Sequence, residues 1–402
     1  MTGPSHTWEF KARFRRHAFG WRSQPAIQRI KEAVAEIAKV SRKEPVVAGE
    51  GALCLLERLS PALEQVDSSS GSIGNAVYSA IAELVEVIAK APVDSETRAA
   101  WLERLYAAHE ADQIPYIERL TDFWGELCVT KEIASAWADK LISITRLALS
   151  PDKSIRGHFH GTSACLSALF RAERYPELID LVQADVLWAY KRWAVKALAA
   201  QGKKADAVRY AEACRNPWAY DWEINQLCEE ILLSSGLVDE AYARYGLVAN
   251  RKGTFLATFR AVAKKYPQKG ASEILSDLAR TTPGEEGKWF AAAKDAGLFD
   301  EALALAESSP CDPKTLTRAC RDHLSESPAF ALGAGMLALH WLLFGHGYEI
   351  ESADVWAAYR STIAVAERQG NRDATKATIR EMAARSPGSF AASILGRELA
   401  QP

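Results

Sequence analysis

Apolar residues recur every three to four positions along nearly the whole chain, the period of helices that bury one face. In SQPAIQRIKEAVAEIAKV, Ile27, Ile30, Val34 and Ile37 share a face, Ser23 stands as a cap and Pro25 falls in the first turn, where proline is tolerated. From Ser72 to Lys90 the pattern continues through Ile73, Val77, Ile81, Leu84 and Ile88. Asp94 or Ser95 opens another helix, which carries Trp101, Leu102 and Leu105. PYIERLTDFWGEL and TKEIASAWADKLISITRLAL complete a first group of about six helices ending near Leu149. Strand-like alternation is scarce, so the pattern predicts an all-α fold.

A second pattern overlies the first in the middle of the chain: a small-residue corner, then an acidic-apolar helix start. It reads AAQGKKADAVRYA at 199–211, SSGLVDEAYARYG at 234–246 and KDAGLFDEALALA at 294–306, with a degenerate copy, FRAERYPELIDLV, at 170–182. AVAKKYPQKGASEIL at 261–275 is a further candidate. With corners at Glu173, Gly202, Gly236, about Tyr266 and Gly297, the steps are 29, 34, about 30 and about 31 residues. Two-helix repeats that stack into a solenoid have this period, because one helix pair cannot bury its apolar face alone. Ser150-Pro151-Asp152-Lys153 reads as a junction between an N-terminal helical domain, 1–150, and a helical-repeat domain, 151–402. Beyond about 310 the helical pattern persists while the spacing drifts, as terminal repeats do.

Composition narrows the class. With 48% hydrophobic and 25% charged residues, the 402-residue chain has the balance of a folded protein, and a net charge of −2 gives no global attraction to nucleic acid or membrane. Seven cysteines without a C-x-x-C pair read as buried thiols in a reducing compartment. No secretory signal and no span-length apolar stretch is read, so a cytoplasmic protein with no membrane partner is expected. Charge is uneven, however. Residues 1–43 hold ten Lys/Arg against three Glu, a local +7.

Candidate chemistry is sparse. VDSSSGSIGNAV at 66–77 sets Ser70, Gly71, Ser72 and Gly74 before a helix, where backbone amides can hold an anion; the plain alternative is a loop with Ser72 as N-cap. It lacks the Lys-Ser/Thr of a phosphate loop. His158 and His160, with Cys165 nearby, suggest a metal, but no second ligand cluster accompanies them, and neither metal nor cofactor is expected. Acidic pairs Asp239-Glu240 and Asp300-Glu301 recur because they start helices. The arm KARFRRHAFGWR interleaves Phe10, Phe14, Phe19 and Trp21 with Arg13, Arg15, Arg16 and Arg22, which suits single-stranded nucleic acid or an amphipathic segment packed on the body. Large aromatics crowd the repeat region. Trp188, Tyr190, Arg192, Trp218 and Trp222 are the candidate partner anchors, Trp218 and Trp222 sharing a face if Pro217 starts their helix.

Gly236-Leu237-Val238-Asp239-Glu240-Ala241 and Gly297-Leu298-Phe299-Asp300-Glu301-Ala302 resemble the corner of tetratricopeptide-class helical repeats over about 165–310, without that class's regular Trp, Tyr and Pro positions. FRRHAFGWRSQPAIQRIKEAV, LSPALEQVDSSSGSIGNAV and HWLLFGHGYEIESADVWAAYRSTIAVAERQGN resemble a bacterial family of uncharacterised helical proteins. The resemblances imply a bacterial protein of helix hairpins. The expected function is a non-catalytic scaffold that holds a protein or peptide partner on a concave surface. Two alternatives stand: a nucleic-acid-binding repeat protein that uses the basic arm, and an enzyme or ligand-binding protein with an anion site at 67–75.

Overall fold

The computed structural model describes residues 6–152, 154–216 and 221–399. These residues form an all-α protein, with no strand among them. They divide into two compact units, 1–224 and 225–402, so the junction expected at 150–153 lies inside the first unit.

In the first unit the helix Pro45–Leu63 is central, with Leu53, Leu55, Leu56, Leu59 and Leu63 all fully buried. Ser23–Ser41 and Ser72–Lys90 pack on it through the stripes that the period predicts. Ser72–Lys90 is long and apolar enough to cross a membrane by length and composition, yet Ile73, Val77, Ile81, Leu84 and Ile88 face the protein core. Its last carbonyls are held by the buried Arg98, whose guanidinium donates to Ile88 O at 2.7 Å and Ala91 O at 2.9 Å. Two helix starts differ from the sequence pattern. Ser23 and Ser72 are first helical residues, with Arg22 and Gly71 in the capping positions. Asp94 does cap, accepting from Thr97 N at 2.7 Å.

Tryptophans in this unit lie directly on backbone. A Cβ on Gly51 would sit 2.6 Å from Trp8 Cε2, and one on Gly49 would sit 2.6 Å from Trp101 Cη2. Helix-interior glycines, unfavourable by propensity, are used here to let indole rings approach.

The recurring corner is a backbone device. Glu173, Gly202, Gly236 and Gly297 have φ of 58°, 79°, 75° and 74°, the left-handed conformation that closes a helix. Each following amide reaches back five residues: Arg174 N to Leu169 O, Lys203 N to Leu198 O, Leu237 N to Leu232 O and Leu298 N to Ala293 O, all 3.0 Å. The next helix then starts at once, as in Tyr175–Val182, Lys204–Ala213 and Phe299–Ser308. Tyr266 is different. It ends Phe255–Lys265 at φ −122°, and a turn precedes Ala271–Arg280.

The second unit contains a feature the sequence pattern does not announce, a π-helical turn at Tyr242–Gly246. It stands beside a buried polar network. Glu229, with its side chain wholly inside, accepts from Tyr266 OH at 2.5 Å, Asn250 Nδ2 at 2.6 Å and Lys265 Nζ at 2.5 Å. Every partner is satisfied, the condition under which a buried carboxylate is tolerated.

Candidate functional site

Three chain segments of the first unit converge on an open cleft of about 510 Å³: 109–122, 158–163 and 187–192, with Glu223 at its edge. Trp188, Tyr190 and Arg192, singled out in sequence as anchors, all line it. So do His158 and His160.

Segment 109–122 spans the end of Ser95–Glu110 and the 3-10 turn Glu118–Phe123. Asp112 is fixed by Ser60 Oγ and by Ile117 N at 2.7 Å. Asp122 pairs with Arg192 at 2.6 Å, both side chains about four-fifths buried, tying this turn to Trp188–Ala200. Its own carbonyl accepts from Ser167 Oγ at 3.0 Å. The pair is therefore a positioned one, held on a rigid helix.

The loop before Thr162–Arg171 supplies His158 and His160, and its backbone is pinned twice. Arg156 Nη2 lies 2.5 Å from the fully buried Asp185, and His109 Nε2 lies 3.2 Å from His160 O. A carbonyl only accepts, so Nε2 carries the proton and the neutral ring of His109 keeps its lone pair on Nδ1. That Nδ1 is buried and has no hydrogen-bond partner. Burial holds the His109 imidazole below its usual value, against the opposing pull of the His160 carbonyl and of Asp112. The side chains of His158 and His160 stay exposed, with ring centres 4.5 Å apart.

The anchors differ in kind. Trp188 is only 6% exposed, so it forms wall and does not project as an anchor would. Tyr190 is half-buried, its phenol raised by burial and by nearby Asp185. Leu187, 47% exposed, borders both this cleft and a smaller one lined by Leu149, Arg156 and Thr162. Trp222 is half exposed at the start of Asp221–Leu233, next to Glu223. Trp218 lies outside the described residues.

Other candidates are placed elsewhere. Phe10 and Phe14 are buried and Phe19 packs against the core, leaving Trp21 as the arm's exposed ring. Glu36 accepts from Glu9 N and Phe10 N, Arg13 pairs with Glu32 at 3.1 Å and Arg16 with Glu64 at 3.4 Å. Arg15 bonds the Ala12 carbonyl at 3.0 Å, and Arg22 is exposed ahead of Ser23–Ser41. The arm is thus packed on the body, as the amphipathic alternative describes.

At the 67–75 loop, Gly71 adopts φ +70° and Ser70 Oγ meets Ser72 Oγ at 2.8 Å, while Gly74 has open space around it. The Ser69 amide is taken by the Asp67 carboxylate at 3.0 Å, which places a negative charge where an anion would sit. That bond holds Asp67 below its usual range.

Cys165 is buried away from the histidines and burial pushes its thiol up to about 11. Among the described residues no group of three or more His, Cys, Asp or Glu is placed to hold a metal. Neither family models nor curated proteins nor solved structures give a significant match to this chain.

Proposed function

We propose that the protein is a non-catalytic scaffold of tetratricopeptide-like helix hairpins, working in the cytoplasm, whose first-unit cleft holds an extended peptide segment of a protein partner. The observation that carries this reading is the cleft itself. It is open, about 510 Å³, and walled by Trp188 and Tyr190, with Arg192 fixed by Asp122. Aromatic faces with a few positioned polar groups are the make-up of ligand sites and interface hot spots. Groups suited to acid–base or nucleophilic work are committed: Asp112 to Ser60 and Ile117, and Cys165 to the core. All seven cysteines are free thiols, which supports a reducing compartment. Exposed Leu187 and Trp222 would extend the contact beyond the cleft.

The test is selection of displayed random peptides on the full chain. Enriched peptides should lose at least tenfold in affinity on Leu187→Asp or His160→Asp, with unchanged circular dichroism. Absence of any enrichment, or enriched peptides indifferent to both substitutions, would refute the reading.

A further inference from the structure

The cleft's unused chemistry is acidic and hydrogen-bond accepting. Its lining carries four carboxylates, Asp112, Glu118, Asp122 and Glu223, against two guanidinium groups, Arg119 and Arg192. Asp122 and Arg192 neutralise each other, and the Arg119 guanidinium lies 5.0 Å from the centre of the Tyr78 ring. Glu118 and Glu223 have no ion pair among the described residues. With neutral histidines the lining therefore sums to −2, from four negative and two positive groups.

An acidic rim alone selects nothing, but His109 adds an independent requirement. The residue is only 4% exposed, lines the cleft, and has a lone pair on Nδ1 with nothing to accept from. A buried acceptor left unmade costs about 1–3 kcal/mol, which a donor brought by a ligand would recover. An anion would meet both the carboxylates and this lone pair, and is rejected twice. A cation carrying N–H groups satisfies both. The Trp188 and Tyr190 rings offer faces that attract the same charge.

We infer that the cleft takes a cationic hydrogen-bond donor, a guanidinium or alkylammonium group, with Glu118 and Glu223 supplying charge and His109 the buried acceptor. This rests on the scaffold reading only for its source: within a partner, the group is an arginine or lysine side chain. The same chemistry in a free amine would fit the same lining.

Isothermal titration calorimetry on the full chain at 0.15 M salt separates these. The probes are N-acetyl-arginine methylamide, its lysine and glutamate counterparts, and agmatine. The arginine or lysine derivative should bind with a Kd of about 1 mM or tighter. Glu118→Gln with Glu223→Gln should weaken it at least fivefold, and the glutamate derivative should give no heat. In histidine-labelled protein, nitrogen NMR should show the His109 Nδ1 resonance moving on addition of the arginine probe. Equal binding of the glutamate derivative, insensitivity to the double substitution, or no binding of any cation at 10 mM overturns the inference. Agmatine bound while displayed peptides are never enriched would sink the scaffold reading and keep this one. Enriched peptides that lack Arg and Lys yet depend on Leu187 would do the reverse.

Discussion

The contact between Gly51 and Trp8 permits a prediction whose sign changes with background. A Cβ at Gly51 would lie 2.6 Å from Trp8 Cε2 and 2.7 Å from Cη2, where ordinary carbon contacts are about 3.5–4.0 Å. The indole must therefore move by about 1 Å. Overpacking of this kind costs about 1–3 kcal/mol, while replacing a helix-interior glycine by alanine returns about 1 kcal/mol of propensity. Gly51→Ala should thus destabilise Pro45–Leu63 by up to about 2 kcal/mol. With Trp8→Ala already in place the clash is gone, and the same substitution should stabilise by up to about 1 kcal/mol. Because the chain has two units, a single melting temperature is a poor reporter. Hydrogen exchange of the 45–63 amides, read by mass spectrometry in all four combinations, gives the local value, at about tenfold in rate per 1.4 kcal/mol. If Gly51→Ala has the same sign in both backgrounds, the ring does not rest on that backbone.

Other outcomes follow from the same packing. Glu229→Ala leaves Tyr266 OH and Asn250 Nδ2 unpaired inside the second unit, and should cost about 3–5 kcal/mol, read as faster exchange across 255–265. Since burial depresses the folded His109 pKa below the 6.5 of the free side chain, the unfolded chain binds its proton first as pH falls. Stability is then full above about pH 6.5 and declines below it toward the lower folded value; His109→Gln should flatten urea midpoints between pH 8 and 5. Glu110, Asp112 and His160 are the charged neighbours in that balance, and they set how far the decline extends. At the corners, Gly202→Ala should cost about 1–2 kcal/mol, whereas Glu173→Gly, at φ 58°, should be neutral or stabilise by up to about 1 kcal/mol.

The corners were legible in sequence because one backbone requirement, positive φ, falls so heavily on glycine. Glu173 was found only through its flanking pattern, and Tyr266 was misplaced because its helix ends without a left-handed residue. The π turn was invisible: VDEAYARYG reads as ordinary helix, and only packing beside Tyr266 distinguishes it. For the cleft, local density of rings and cations pointed to Trp188, Tyr190 and Arg192. His109 and Asp122 were missed because each joins the site from about fifty to seventy residues away. In AAHEAD, His109 reads as one more polar helix position, and nothing local marks its ring as buried. His158 and His160 drew attention as metal ligands, whereas the structure uses the His160 carbonyl as a fastening point and leaves both rings outside.

That division of labour has a consequence for how recognition can change. The 150–161 loop is held by the Arg156–Asp185 pair and by a main-chain carbonyl, so neither pin needs the rings of His158 or His160. Those two positions resemble the tips of an antibody loop: free to be rewritten by mutation while the framework stays folded. New specificities are open to selection there at little cost to stability.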